Sequence, residues 1–209
     1  MNMFLGAVHQ QAVHRATGVV PDLGTYIEMR RETSACKTIF DLIEYSLDFE
    51  LPSAVVEHPV IVALNNDAND FVTWSNVRAI SSPLLTVSHL LTKSSQDLYS
   101  YNVEQARGDT HNMICVHMMK DGLTLQQAVD RLGEMCKQSI DRFVENLPLV
   151  PSWGDRIDRD VKLYVNGMRE CIVGSLHWSF QTKRYFGDNG GEVRATGVVE
   201  LLPRETTKA

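Results

Sequence analysis

Ser100 and Glu104 stand four positions apart in the string Asp97-Leu98-Tyr99-Ser100-Tyr101-Asn102-Val103-Glu104. On a helix that spacing puts a hydroxyl and a carboxylate on one face, and an oxygen-bearing side chain four positions earlier would complete a row of three ligands. Magnesium wants hard oxygen ligands in near-octahedral geometry and usually shares them with substrate phosphates, so such a row can hold Mg2+, or Mn2+ in its place, against a diphosphate. A Ser/Glu pair alone is common on helices; the longer string is what carries the signal. The position four before Ser100 is Gln96. The second group is Arg30-Arg31. Paired arginines at a helix end are usually solvated, but the planar guanidinium fork can chelate two phosphate oxygens. The third is Arg184-Tyr185, two donors that mean little as a dipeptide. Phe40, Trp74 and Trp178 fall on apolar helical faces, where core packing is the first explanation and attraction of a cation to the ring face the second. His111 and His117 have no zinc-like companions and read as structural.

The elements that must position these groups are helical. Apolar residues recur at three- and four-residue spacing and period-two alternation is scarce, so the fold class is all-α, with about six helices expected. The first covers 1–17 and ends at Gly18; Pro21 and Asp22 open a second through Tyr26 to Thr33. A third carries Ile39, Phe40, Leu42, Ile43, Tyr45 and Leu47 and ends near Pro52, and another runs from Ser53 through Val60, Leu64 and Phe71 towards Trp74. Thr124 with Gln127 forms a capping-box pair, and Ser152 with Asp155 a looser one before a long final helix carrying Leu163, Met168, Ile172, Leu176 and Phe180. Residues 1–186 are expected to form one domain and 187–209, rich in Gly and polar residues, a flexible tail.

With 209 residues, 44% of them hydrophobic, the chain can bury a sizeable core. A net charge of −6 without a Lys/Arg-rich run argues against nucleic acid or an anionic membrane as partner. The four cysteines are scattered and suit reduced thiols, the start is too short in apolar residues for a signal peptide, and no run approaches a membrane span, so a cytoplasmic location is expected.

Residues 77–96 interrupt this pattern with five Ser, a Pro and no acidic residue. DLYSYNVEQARGDTHN resembles the second metal-binding motif of class I terpene synthases, (N/D)DxxSxxxE, in its basidiomycete form, where Asn, Ser and Glu ligate one magnesium. Removing 77–96 joins Trp74-Ser75-Asn76 to Asp97 and gives WSNDLYSYNVE, the motif without a gap. The stretch begins with Val, whose codons start GT, and ends with Gln, which CAG encodes; its twenty codons match a common fungal intron length. It reads as a translated, retained intron, with Asn76, Ser100 and Glu104 as the metal ligands; the alternative is that the Gln96 amide serves in place of Asn76.

Further strings carry the same resemblance. Tyr26-Ile27-Glu28-Met29-Arg30-Arg31-Glu32-Thr33-Ser34-Ala35-Cys36 is similar to the family's YIxLRRxTSGC, and Asn76 lies 46 positions after Arg30, the spacing of its diphosphate-sensing Arg. The resemblance implies Arg30 as sensor, with Arg31 one step away, and a helix break at Thr33 and Ser34 that turns a backbone carbonyl towards the allylic carbon. Ala35 stands where the family usually has Gly, a residue that tolerates dihedrals Ala resists. Trp178-Ser179-Phe180-Gln181-Thr182-Lys183-Arg184-Tyr185 resembles the family's terminal RY pair, implying Arg184 and Tyr185 as donors to diphosphate oxygens. Across 1–76 and 97–203 the resemblance implies the C-terminal half of a class I terpene synthase bundle, which ionises farnesyl diphosphate or another prenyl diphosphate with three magnesium ions and cyclises the cation.

The family's aspartate-rich motif has no counterpart here, since Asn65-Asn66-Asp67-Ala68-Asn69-Asp70 lies just before the wrong helix. The gene is expected to be truncated or its start placed late. The rival readings are an inactive fragment or pseudogene product and, from another class, a helical interaction module; the oligomeric state is left open. Half a helical bundle leaves apolar faces unburied, so the isolated 209-residue chain is expected to aggregate on expression. Monomeric, cooperative unfolding of the unfused chain would contradict this.

Overall fold

The computed structural model describes residues 2–74 and 96–205. Among them no strand occurs, and eleven α-helices follow one another: α1 Asn2–Thr17, α2 Leu23–Thr33, α3 Cys36–Leu47, α4 Ser53–Val56, α5 Pro59–Trp74, α6 Gln96–Ala106, α7 Met113–Lys120, α8 Leu125–Asn146, α9 Asp155–Gln181, α10 Lys183–Phe186 and α11 Gly190–Thr196. The count exceeds six in part because α4, α10 and α11 are each too short for periodicity to register. None of the described helices is long and apolar enough to cross a membrane.

Local chemistry sets most boundaries. Asp22 caps α2 by accepting the Thr25 N–H at 3.0 Å, and Thr124 with Gln127 forms a complete capping box on α8. The single helix expected over 53–74 is broken at Glu57 and His58, because Pro59 has no N–H to donate and restricts the residue before it. His58 Nδ1 accepts the Val60 N–H at 3.3 Å and so opens α5. α3 stops at Leu47, short of Pro52, because Asp48 turns left-handed (φ 55°). Asp158, not Asp155, organises the start of α9: it accepts the Ser152 hydroxyl at 2.6 Å and the Trp153 N–H at 2.7 Å.

α5 is the hub, packing against α2, α3, α4, α6, α8 and α9. Its apolar positions Ile61, Leu64, Ala68 and Phe71 are buried against the stripes Ala128, Leu132, Cys136 and Ile140 of α8 and Tyr164, Met168 and Ile172 of α9. At the α3–α9 crossing a Cβ on Gly167 would stand 2.5 Å from Ile43 Cγ2, so only glycine permits that approach.

The polar positions of α5 are buried or half-buried as well, and Asn65, Asp67, Asn69, Asp70 and Thr73 have partners. Asp70, with a fully buried side chain, takes a two-pronged ion pair from Arg31 with both contacts at 2.6 Å. Asp67 accepts from Arg142 Nε at 2.8 Å, and Asn65 accepts the Tyr164 hydroxyl at 2.9 Å. Burial pushes the Asp70 carboxyl above the usual carboxylate range while the Arg31 fork pulls it back. The acidic string of α5 is therefore internal framework.

Asn69 belongs to the same face and fixes the break after α2. Its amide nitrogen donates to the Arg31 carbonyl at 2.9 Å, and its oxygen accepts the hydroxyls of Ser34 at 2.8 Å and Thr73 at 3.1 Å. The break runs through Ala35 in a left-handed conformation (φ 63°, ψ 2°).

Beyond Phe186, where a flexible tail is expected, the chain forms α11, which packs on α9 and α10, and then runs along α6. Asn102 donates to the Glu200 carbonyl at 3.1 Å and accepts the Leu202 N–H at 2.7 Å. Gln105 donates to the Leu202 carbonyl at 2.7 Å, and the Glu205 N–H donates to the Ala106 carbonyl at 2.7 Å. Apolar side chains remain exposed on α1 (Met3, Phe4, Leu5) and α3 (Leu42, and Tyr45 at 85%).

Two outcomes are expected for the chain carried as a soluble fusion. Ala35→Gly relieves a left-handed Cβ clash and raises stability by about 1 kcal/mol, read as a higher urea midpoint in pulse proteolysis; a lower midpoint would show that the turn is unstrained. Asn102→Ala removes two backbone ties to the C-terminal strap at a cost of about 1–3 kcal/mol, so amide exchange at Leu202 accelerates by roughly one to two orders of magnitude; unchanged exchange would show that the strap is held otherwise.

Candidate functional site

α6 presents Ser100 and Glu104 one turn apart, both half-buried. Asn112 bridges them. Its amide nitrogen donates to Glu104 Oε2 at 2.9 Å and lies 3.5 Å from Ser100 Oγ, the outer limit of a hydrogen bond. A hydroxyl and a carboxylate that both approach one nitrogen lie close together, and two hard oxygens so placed suit Mg2+ or Mn2+ rather than a thiolate-seeking metal. Asn76, expected as the first ligand, lies outside the described residues, as do residues 77–95; Gln96 is the first residue of α6.

α2 supplies the arginines. Arg31 is committed to Asp70, whereas Arg30 is half-buried and close enough to His111 to act on it electrostatically. His111 packs beside Tyr26 with ring centroids 5.2 Å apart. Burial, then the charges of Arg15 and Arg30, push its pKa down to about 4, so it is neutral at pH 7. His111 precedes Asn112 in the chain, which places the α2 contact one residue from the contact to Ser100 and Glu104. His117 is fully buried, with Nδ1 2.7 Å from Asp121 Oδ2.

α6 and α2 both pack against α5 and α7, and α10 packs against α6. On α10, Arg184 is exposed with its guanidinium carbon 5.6 Å from the centre of the Tyr185 ring. Tyr185 is buried, edge-on to Trp178 at 6.0 Å.

An open cleft of about 360 Å3 starts at Ser34, where α2 breaks, and is walled by Cys36, Phe40, Val72, Cys171 and Trp178. Phe40 is buried and Trp178 is 46% exposed, so of the three aromatics singled out by pattern, Trp178 offers the most ring to the cleft; Trp74 is core. Burial pushes the Cys36 and Cys171 thiols up, so the wall carries neutral sulfur.

Three residues of this constellation escaped the motif search: Asp70, Asn69 and Asn112. The signal for the first two was polar side chains inside an apolar helix; Asn112 stood at the end of the quoted string, with nothing local to mark it.

Comparison with known proteins agrees with this geometry. The family model for terpene synthase family 2, C-terminal metal binding, matches residues 1–142. Sesquiterpene synthase Agr1 of Cyclocybe aegerita is 49% identical over 204 residues, covering 98% of this chain and 53% of that protein. The alpha-muurolene synthase of Coprinopsis cinerea is 52% identical over 199 residues, covering 95% of this chain and 42% of that protein. The chain thus spans about half the length of the curated relatives it matches. Among solved structures, a-eudesmol synthase superposes with a TM-score of 0.68 at 23% identity, covering 87% of this chain and 53% of that one. Linalool/nerolidol synthase of Streptomyces clavuligerus does so at 0.69 and 20%, covering 84% and 55%. These two establish the helical fold. With the family model running over well over half of its length, the chain belongs to the terpene synthase family, of the type whose C-terminal part binds metal.

Proposed function

We propose that this chain carries the magnesium-binding and diphosphate-binding half of a cytoplasmic sesquiterpene cyclase acting on farnesyl diphosphate. The observation that carries this is the Ser100–Glu104 row on α6, drawn to one point by Asn112. The commitment of Arg31 to Asp70 supports Arg30 as the diphosphate sensor, because a guanidinium held at both prongs by a buried carboxylate has little left to offer a phosphate.

Magnesium, when bound, supplies charge neutralisation to the departing diphosphate. Ser100 and Glu104 would hold it with their oxygens, with Asn76 as the first ligand of the row and 77–96 an intron-derived insertion. Arg30 donates its guanidinium N–H groups to diphosphate oxygens, and Arg184 and the Tyr185 hydroxyl donate from α10. The break at Ser34 lies at the mouth of the cleft, where a backbone carbonyl turned inward would favour the forming allylic cation by its partial negative charge. The cleft offers Phe40, Val72 and Trp178 as an apolar wall against which the prenyl chain folds. Its two thiols stay protonated and so do not trap the cation as thiolates would. Arg31 and Asn69 act indirectly, by fixing where the helix breaks.

Titration of the fused chain with inorganic pyrophosphate separates these roles. Binding is expected with Mg2+ and not with EDTA. Glu104→Ala and Arg30→Met each weaken it at least about tenfold, the loss of one charge-assisted contact. Arg31→Met instead destabilises the fold by about 3–5 kcal/mol, because it strands Asp70 as a buried, unpaired charge. Deleting 77–96 tightens binding, and full-length protein built on that deletion converts farnesyl diphosphate to cyclic hydrocarbon. Mg2+-independent binding, or none with either form, would sink the reading.

A further inference from the structure

Asn112 is fully buried at the junction of α6 and α7, and both ends of its amide are engaged. The oxygen accepts the Ile114 N–H at 2.8 Å, capping α7. A backbone N–H can only donate, so the oxygen must face Ile114 and the NH2 must face α6. There the NH2 donates to Glu104 Oε2 at 2.9 Å and reaches towards Ser100 Oγ at 3.5 Å. One end of the amide is therefore anchored to rigid backbone, and the other sets the direction of two side chains on a neighbouring helix.

We propose that Asn112 is the positioning residue of the metal row, fixing the Glu104 carboxylate and the Ser100 hydroxyl in their ligating orientation before the ion arrives; this rests on the function proposed above. Glu is among the residues with most rotamer freedom to lose, and a donor that selects one arrangement beforehand removes that cost from metal binding. The amide contributes no charge and need not touch the ion. It acts as hydrogen-bond donors behind metal ligands do, whose loss typically costs 10- to 100-fold in metal affinity. Simple helix capping accounts for the oxygen end alone. It gives no reason for an amide where Ser, Thr or Asp would cap equally well, and the two contacts to α6 supply that reason.

Asn112→Ser and Asn112→Thr keep a capping oxygen and remove the long donor arm. In the fused full chain, the Mg2+ concentration that half-saturates pyrophosphate binding is expected to rise about 10- to 100-fold in both. Ile114 amide exchange, which reports the cap, stays at the wild-type rate. A wild-type Mg2+ requirement in either variant that keeps its cap overturns the proposal while leaving the proposed function standing. A loss that tracks faster Ile114 exchange in both variants also overturns it, since capping then accounts for the effect. Absence of Mg2+-dependent binding in the wild-type chain removes the proposal together with the reading beneath it.

Discussion

The contact on which the site depends is the buried pair Asp70–Arg31. Asp70 sits in the central helix with no exposed side-chain surface, and Arg31 reaches it from the last turn of α2 with both prongs. Burial of such a pair costs several kcal/mol in lost hydration, which the contact recovers only with good geometry and further hydrogen bonds. It is weak as a source of stability and strong as a source of specificity: rotation or sliding of α2 along α5 would leave a buried carboxylate without its partner. The end of α2 is thereby held in one position.

Everything at the break follows from that position. Asn69, one residue before Asp70, reaches the Arg31 carbonyl and the Ser34 hydroxyl, so the same turn of α5 that pins the guanidinium also closes the turn leading into α3. Arg30, the neighbour of Arg31, points elsewhere because successive residues lie about 100° apart on a helix. Adjacent, chemically identical side chains are thus set apart, and the Asp70 carboxylate of α5 claims only one of them.

What was legible in the sequence was local. The Asp22 cap, the Thr124–Gln127 box and the all-α periodicity depend on residues at most four apart, and the motif strings needed only spacing to be found. What was not legible depends on approach between distant segments. Pro59 divided a helix whose apolar pattern ran on unbroken. The Gly-rich segment after Phe186 read as flexible, yet a Cβ at Gly190 would fall 2.1 Å from the Phe180 carbonyl oxygen, so glycine there serves close packing. Asn112 and Asn102 looked like ordinary polar residues, because their partners lie on other elements. Counting narrows the sensor to Arg30 or, one step away, Arg31; the counter-charge at Asp70 shows which of the two is tied to the central helix.

The helix bearing the ligand row is short, and 11 residues are marginal for an isolated helix in water, so its shape and placement must come from contacts. Two asparagines provide them from opposite directions. Glu104 follows Ser100 by four residues and shares its face, whereas Asn102 is displaced by about 200° around the axis and meets the C-terminal strap on the other side. Asn112 meets the ligand face from α7. Amides suit both places: each donates and accepts at once, so it can tie backbone to side chain or strap to helix without adding charge beside the Ser100–Glu104 pair. An ionised acid there could not donate and a base could not accept, so neither would make both contacts. The result is a Ser100–Glu104 face whose carboxylate is the charged member and whose neighbours on either side are neutral amides.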